Sequence, residues 1–128
     1  MSDDDDLVFH CTSEDAYEKI KKSGKIKRSV KTNDDVTYGE GTYLTSKHPE
    51  KHTPMEIAKS NYDGLPQHAK SMLPRTQVAI AFDRKEINAK EVDRDRKIHI
   101  VEDDVDMSKA KGIYWKQNDD SYKKDEGN

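Results

Sequence analysis

Two short segments of the chain bring polar and aromatic residues to the ends of apolar runs. In the first, His10 follows the apolar run that begins at Leu7. In the second, Gly39 and Gly41 precede Tyr43, about thirty residues further along. Glycine permits close backbone approach, and an aromatic ring can stack on a flat ligand. Because two strand ends of one sheet can meet at one cleft, the two segments together predict a shared binding site.

Each of these residues also has a structural interpretation. A histidine on an apolar strand is more often a core residue than a ligand contact, and a strand tyrosine more often packs in the core. Cys11, the only cysteine, is best interpreted as a small buried hydrophobe. His48 and His52 flank Pro49, which favours a loop over a helical metal site. The sequence therefore predicts no metal site, and only the combination of the two segments favours ligand binding.

The composition bounds the size and class of the protein. The 128 residues suit one compact domain, and 31% hydrophobic against 38% charged residues leave room for a thin core only. Acidic and basic residues nearly cancel, 26 against 23, which argues against complete disorder. A net charge of −3 disfavours a nucleic-acid partner. A single cysteine excludes an internal disulfide.

We expect three parts along the chain. Residues 1–6 form an acidic flexible N-terminus, residues 7–116 the folded domain, and residues 117–128 a polar tail that we expect to be disordered. No apolar run reaches the length of a membrane span, and no secretory signal is visible. We therefore expect a cytoplasmic or nuclear protein with no membrane partner, unless the chain is a toxin or effector fragment that is delivered from elsewhere.

The apolar runs and helix caps predict the order of the elements. Leu7–Cys11 is typical of a buried strand, and Thr12 or Ser13 can cap a helix that ends before Gly24. Thr53 and Pro54 are typical of the start of another helix. A short exposed strand is expected at 25–30, and further strands at 42–45, 77–82, 98–101 and 113–115. This irregular mixture predicts an α+β fold, with a split, mostly antiparallel β-sheet core and two or three short helices.

Several of these segments together resemble a known enzyme superfamily. Leu7–Thr12, the helix ending at Ser23–Gly24, and Tyr38–Thr45 resemble the first two signature blocks of the ADP-ribosyltransferases. The similarity extends to the branch of poly-ADP-ribose polymerases and diphtheria-type toxins, and more closely to the toxin-associated group with a His-Tyr-Asp signature. Arg75–Asp83 resembles the next strand of that group, and Asp93–Gly112 its final acidic block. The resemblance covers most of residues 7–115 in order.

The resemblance implies that NAD is the substrate. His10 would hydrogen-bond the hydroxyls of the nicotinamide ribose, and Tyr43 would stack on the nicotinamide ring. The backbone of Cys11 would meet the nicotinamide amide, where the polymerases carry glycine. Tyr62 would supply the opposite wall. The other NAD contacts that the two blocks imply are Thr12, Tyr38, Gly39 and Gly41. The implied chemistry needs no metal.

Asp106 is the acid that the resemblance implies, and it completes a catalytic set with His10 and Tyr43. A carboxylate can stabilise the positive charge that develops on the ribose as nicotinamide leaves. With 26 acidic residues in the chain, Asp104 and Glu40 remain alternatives. The absence of the polymerase-type glutamate favours transfer of a single ADP-ribose over chain elongation.

Three functions follow as hypotheses. The first is an ADP-ribosyltransferase that modifies an unknown macromolecular acceptor, for which a protein is favoured. The second is an NAD glycohydrolase of the same fold, in which water is the acceptor. The third is a non-catalytic module that binds a nucleotide or a partner.

Overall fold

A computed structural model of the chain describes residues 6–27, 41–53, 56–57, 76–94, 97–119 and 121–125. Within them, the chain forms nine strands and one α-helix. The elements in order are β1 (Leu7–Thr12), α1 (Glu14–Ser23), β2 (Lys25–Ile26), β3 (Thr42–Thr45), β4 (Val78–Asp83), β5 (Lys90–Asp93), β6 (Ile98–Val101), β7 (Val105–Asp106), a 3₁₀ turn (Met107–Lys109), β8 (Gly112–Lys116) and β9 (Tyr122–Lys124).

Seven of the strands form one antiparallel sheet in the order β5-β6-β3-β1-β4-β8-β9. Strand β1 lies inside this sheet and pairs with β4 through six residue pairs, from Leu7↔Asp83 to Thr12↔Val78. Its pairing with β3 consists of Phe9↔Thr45 alone. Strands β2 and β7 form a separate two-stranded sheet. The main sheet is therefore continuous on the β4 side of β1 and nearly split on the β3 side.

The alternation of side chains along the strands gives the main sheet two buried faces. One, the helix face, packs against α1 through Tyr17 and Ile20 and includes Val8 from β1 and Leu44 from β3. The other, the aromatic face, is built from Phe9, Ala79, Ala81, Tyr114, Tyr122 and Ile57. Because apolar residues lie on both faces of β4, the pattern Val-Ala-Ile-Ala-Phe is fully buried, as the continuous apolar run predicts.

Helix α1 begins and ends where the sequence predicts. The Ser13 hydroxyl oxygen accepts the Ala16 N–H, and Gly24 adopts the left-handed conformation (φ 79°) while its N–H bonds the Ile20 carbonyl. A residue without a Cβ adopts that conformation at little cost, which explains why the helix ends there. The short helix also fixes where β2 starts, directly after the cap.

The predicted fold class is confirmed in its main features, because every strand pairing is antiparallel and a helix covers one face. The number of helices is not matched in full: one α-helix is complete within the described residues, and of the second only Glu56 and Ile57 are described as helical. At the predicted second helix, Thr53 and Glu56 exchange two hydrogen bonds in a capping box. Residues 54–55 and 58–63, which that helix was predicted to include, lie outside the described residues.

The C-terminal segment differs from its prediction. Residues 117–128 were expected to form a disordered tail, but Tyr122–Lys124 form β9 and pair with β8. The reason is one aromatic residue in a polar stretch: the Tyr122 ring is buried on the aromatic face, and its hydroxyl donates to the Thr76 carbonyl. At the other terminus, Asp6 already belongs to the folded part, because its carbonyl accepts the Arg84 N–H.

The helices among the described residues are all too short or too polar to cross a membrane.

Candidate functional site

The split in the sheet places His10 and Tyr43 beside each other. Beyond the pair Phe9↔Thr45, β1 and β3 are joined by a side chain instead of a backbone ladder: His10 Nδ1 lies 3.0 Å from the Tyr43 carbonyl oxygen. We call this junction between β1 and β3, at residues 10–12 and 42–43, the seam. Strand β3 is held on its other edge by four pairs with β6, from Thr42↔Val101 to Thr45↔Ile98. The seam is therefore a place where β1 and β3 remain adjacent but are joined by a side-chain hydrogen bond instead of a register pair.

The hydrogen bond at the seam determines the tautomer of His10. A carbonyl oxygen can only accept, so Nδ1 must carry the proton and Nε2 must present a lone pair. Burial lowers the pKa of His10 below its ordinary value of 6.5, and the bond to Tyr43 opposes this shift only in part. The imidazole is therefore neutral near pH 7. Since no other described residue hydrogen-bonds Nε2, this nitrogen can accept a proton donor such as a ligand hydroxyl.

The side chains of His10 and Tyr43 border the seam from opposite faces of the sheet. Alternation along β1 places His10 on the helix face with Val8, whereas alternation along β3 places Tyr43 opposite Leu44, on the aromatic face. Both residues are half-buried. The backbone of Tyr43 and the imidazole of His10 meet at the seam, but the two rings project from opposite faces of the sheet and do not line one cleft.

The two residues that follow His10 are part of the paired strand. Cys11 is half-buried beside the aromatic face, and burial raises the pKa of its thiol to about 12. The thiol is thus protonated at neutral pH and is not a nucleophile, as the interpretation of a small buried hydrophobe requires. Thr12 is buried and pairs with Val78. On the side of β1 that faces β3, the backbone groups of Cys11 and Thr12 border the seam.

The implied acid lies on the other sheet. Asp106 ends β7 and pairs with Lys25 of β2. Its side chain is exposed and accepts the Ser108 N–H at 2.8 Å, which caps the 3₁₀ turn and lowers the pKa of the carboxyl. Asp106 is therefore ionised at neutral pH. The alternative, Asp104, forms an ion pair with Lys25, with 3.6 Å between Nζ and Oδ2.

The acidic segment, residues 102–106, begins directly after β6, at the same end of the main sheet as the seam. Strand β6 ends at Val101, opposite Thr42, and the next residues turn towards β7. The Thr42 hydroxyl donates to the Asp103 carbonyl at 2.9 Å and ties this segment to the strand that carries Tyr43. The end of β1, the start of β3 and the start of the acidic segment thus lie at the same end of the main sheet. Asp106, at the other end of the segment, belongs to the second sheet.

The profile of a family described as HYD1 signature containing ADP-ribosyltransferase matches residues 8–112. The chain belongs to this toxin-associated family of ADP-ribosyltransferases. No curated protein and no solved structure matches the chain. The matched range of this ADP-ribosyltransferase domain includes His10, Tyr43 and Asp106, and it ends before β9.

Several predicted site residues of this ADP-ribosyltransferase domain lie outside the described residues. They are the NAD contacts Tyr38, Gly39 and Tyr62 and the alternative acid Glu40. Gly41 is described, and the atoms around it give it a packing role: an added Cβ would lie 2.5 Å from the Val101 carbonyl oxygen. The close approach of β3 to β6 therefore requires glycine at this position, independently of any contact with NAD.

Other residues of the ADP-ribosyltransferase domain acquire roles that the sequence did not indicate. His48 was interpreted as a loop residue and does lie in a loop, but its ring is buried between Phe9 and Tyr114, at centroid distances of 4.9 and 5.5 Å. No role was predicted for Thr42 from the sequence. The one feature that could have indicated a role is its hydroxyl, which lies between Gly41 and Tyr43 in the sequence. Both connect the strands of the site to neighbouring loops.

The described part of the chain has a cavity of about 420 Å³ away from the seam. It is lined by Pro49, Glu50, Lys51, His52, Thr53, Glu56, Ser121 and Tyr122. Through Tyr122 it borders the aromatic face, and it includes none of the predicted catalytic residues. The described residues also contain no group of three or more histidine, cysteine, aspartate or glutamate side chains that could hold a metal ion.

Proposed function

We propose that this domain binds NAD at the seam, cleaves the bond between nicotinamide and ribose, and transfers a single ADP-ribose to a macromolecular acceptor, most simply a protein. The observation that carries the proposal is the neutral imidazole of His10, whose Nδ1 is bonded to the Tyr43 carbonyl and whose Nε2 is an acceptor. A ribose hydroxyl is a donor that matches this nitrogen. The family membership supports the same chemistry.

The seam also suits the rest of the nicotinamide riboside. After Phe9 the edge of β1 has no strand pairing towards β3, so the backbone of Cys11 can meet the carboxamide of nicotinamide. Tyr43, which borders the seam from the aromatic face, would stack on the nicotinamide ring. The leaving group would then be held by the backbone and by one ring, and the ribose by the imidazole.

The reaction needs a negative charge near the ribose. When the glycosidic bond breaks, its electron pair stays with the nicotinamide nitrogen, and positive charge develops on the ribose ring. An ionised carboxylate stabilises that charge. The nucleophile of the acceptor then bonds the anomeric carbon and loses its proton to the carboxylate. We assign this role to Asp106, which is ionised, and keep Asp104 as the alternative.

Incubation of the purified domain with NAD tests the proposal. NAD labelled in the adenylate phosphate should release unlabelled nicotinamide and place label on protein from a cell lysate, with one ADP-ribose for each modified site by mass spectrometry. Free labelled ADP-ribose without transfer would instead identify a glycohydrolase. A folded domain that neither consumes NAD nor binds it in a titration would contradict the proposal and leave a non-catalytic module.

A further inference from the structure

Thr42 connects the strand that carries Tyr43 to the acidic segment. Its side chain is 1% exposed, and its hydroxyl donates to the Asp103 carbonyl at 2.9 Å. This bond joins β3 to residues that follow β6 directly, beside the register pair Thr42↔Val101. A buried hydroxyl that reaches out of its strand to a loop carbonyl restrains the loop backbone rather than the strand.

The far end of the acidic segment is restrained independently. Lys25 and Ile26 of β2 pair with Asp106 and Val105 of β7. The Gly24 carbonyl accepts the Met107 N–H at 2.9 Å. These bonds fix Asp106 relative to α1 and β2. The bond from Thr42 fixes the start of the same segment relative to Tyr43, so the two anchors together set where the segment lies with respect to the seam.

We propose that Thr42 is a positioning residue: its hydroxyl holds the acidic segment at the distance from the seam at which the carboxylate of Asp106 can act on the ribose of NAD. The inference rests on the proposed function and extends it to a residue that does not itself contact the reacting atoms. A preorganised charge stabilises a transition state far better than one that must first be brought into place. A displacement of about 1 Å at such a site can lower a rate about a hundredfold.

The chain offers matched variants for a test. Thr42→Val removes the hydroxyl and keeps the branched shape, and Thr42→Ser keeps the hydroxyl. Thr45, in the same strand, is equally buried, but its hydroxyl oxygen accepts the Lys47 N–H instead of reaching the acidic segment. Thr45→Val is therefore the control for the loss of a buried threonine hydroxyl from β3.

For each variant, kcat and KM for NAD and the hydrogen–deuterium exchange of residues 102–106 should be measured. Thr42→Val should lower kcat at least tenfold, leave KM within about threefold, and speed exchange in the acidic segment. Thr42→Ser should restore kcat, and Thr45→Val should leave kcat and that exchange unchanged. A merely structural role would affect both valine variants alike.

Three results would overturn the inference. Wild-type kcat in Thr42→Val, with the wild-type protein active on NAD, contradicts the inference and leaves the proposed function intact. Equal losses of kcat in Thr42→Val and Thr45→Val assign the effect to strand stability. A wild-type protein that leaves NAD intact contradicts the proposed function, and the positioning role with it.

Discussion

The two edges of β1 contrast within one strand. Towards β4, six residue pairs run without interruption along the whole strand, and the β4 side chains that they bring in are almost entirely buried. Towards β3 there is one pair, Phe9↔Thr45, and then a hydrogen bond between the His10 ring and the Tyr43 carbonyl. We call these the closed edge and the open edge of β1.

Under the proposed function, one edge of this strand serves as scaffold and the other as binding surface. On the closed edge, backbone groups satisfy one another, which makes that side rigid and leaves nothing for a ligand. On the open edge, an imidazole satisfies the carbonyl instead. The same bond sets the tautomer and leaves Nε2 as an acceptor. Substitutions at the open edge should therefore affect NAD turnover, and changes on the closed side should affect stability.

The largest effect is expected for Asp106→Asn, which tests whether the open edge needs a charge from the second sheet. We expect NAD turnover to fall by about two to four orders of magnitude. Asparagine caps helices as well as aspartate does, so the bond to the Ser108 N–H and the melting temperature should be retained. Steady-state NAD consumption and thermal unfolding measure the two quantities. Full activity in Asp106→Asn together with an inactive Asp104→Asn would transfer the role to Asp104.

Substitutions at the open edge itself come next. His10→Asn retains a donor near the position of Nδ1 for the Tyr43 carbonyl but removes the acceptor at Nε2. We expect NAD turnover to fall by about two orders of magnitude at a nearly unchanged melting temperature. Tyr43→Ala should lower turnover strongly as well, because the stacking surface is lost. A folded Tyr43→Ala protein with normal kcat and KM would remove that side chain from the site.

On the side of the sheet beyond the closed edge of β1, β9 is the strand whose loss tests stability. It extends the sheet beyond β4 and β8. Deletion of residues 118–128 should lower the free energy of unfolding by about 3–5 kcal/mol, because it removes the buried Tyr122 ring. Tyr122→Phe should cost about 1–3 kcal/mol, since the Thr76 carbonyl loses its donor. Urea unfolding measures both. If the truncated protein is as stable as the full chain, β9 contributes nothing to the fold, and the original expectation of a free tail is restored.

The sequence predicts those parts of the fold in which local pattern and tertiary packing agree. Alternating or continuous apolar runs mark β1, β4 and β6, and Ser13 and Gly24 mark the ends of α1. Strand β5 was missed because it forms an edge of the sheet with mostly charged residues. Strand β9 was missed because a single buried tyrosine carries it. In both cases the pairing depends on a distant neighbour and not on local composition.

The same limit applies to the site. The order of His10 and Gly41–Tyr43 along the chain predicted two strands that share a cleft. Strands β1 and β3 are neighbours, but the side chains of His10 and Tyr43 lie on opposite faces of the sheet. The sequence could not show that the ladder between them is broken, because register depends on β4 and β6. It also could not separate the two reasons for Gly41, contact with a ligand and contact with the Val101 carbonyl.

The smallest expected effect concerns the pH dependence of stability, to which His10 at the open edge and a second histidine, away from β1, both contribute. His99 lies opposite Leu44 on β3 and Glu91 on β5, away from both edges of β1. It is buried, and among the described residues its Nδ1 has no hydrogen-bond partner. Burial lowers its pKa below 6.5; Glu91 opposes the shift, and Arg84 and Lys97 add to it. The pKa of His10 is lowered as well, mainly by burial.

Both histidines take up a proton more readily when the chain unfolds. Their contribution to stability is therefore complete above pH 6.5 and decreases as the pH falls below that value, by at most about 1.4 kcal/mol per pH unit for each histidine. Urea unfolding between pH 7.5 and 5.5 should show this decrease, and His99→Leu should reduce its slope. In His99→Leu, saturating NAD should make the slope of stability against pH steeper. NAD bound to the neutral form of His10 disfavours protonation of the folded state. A slope that is the same in wild type and in His99→Leu would show that the His99 ring does not change its protonation on unfolding.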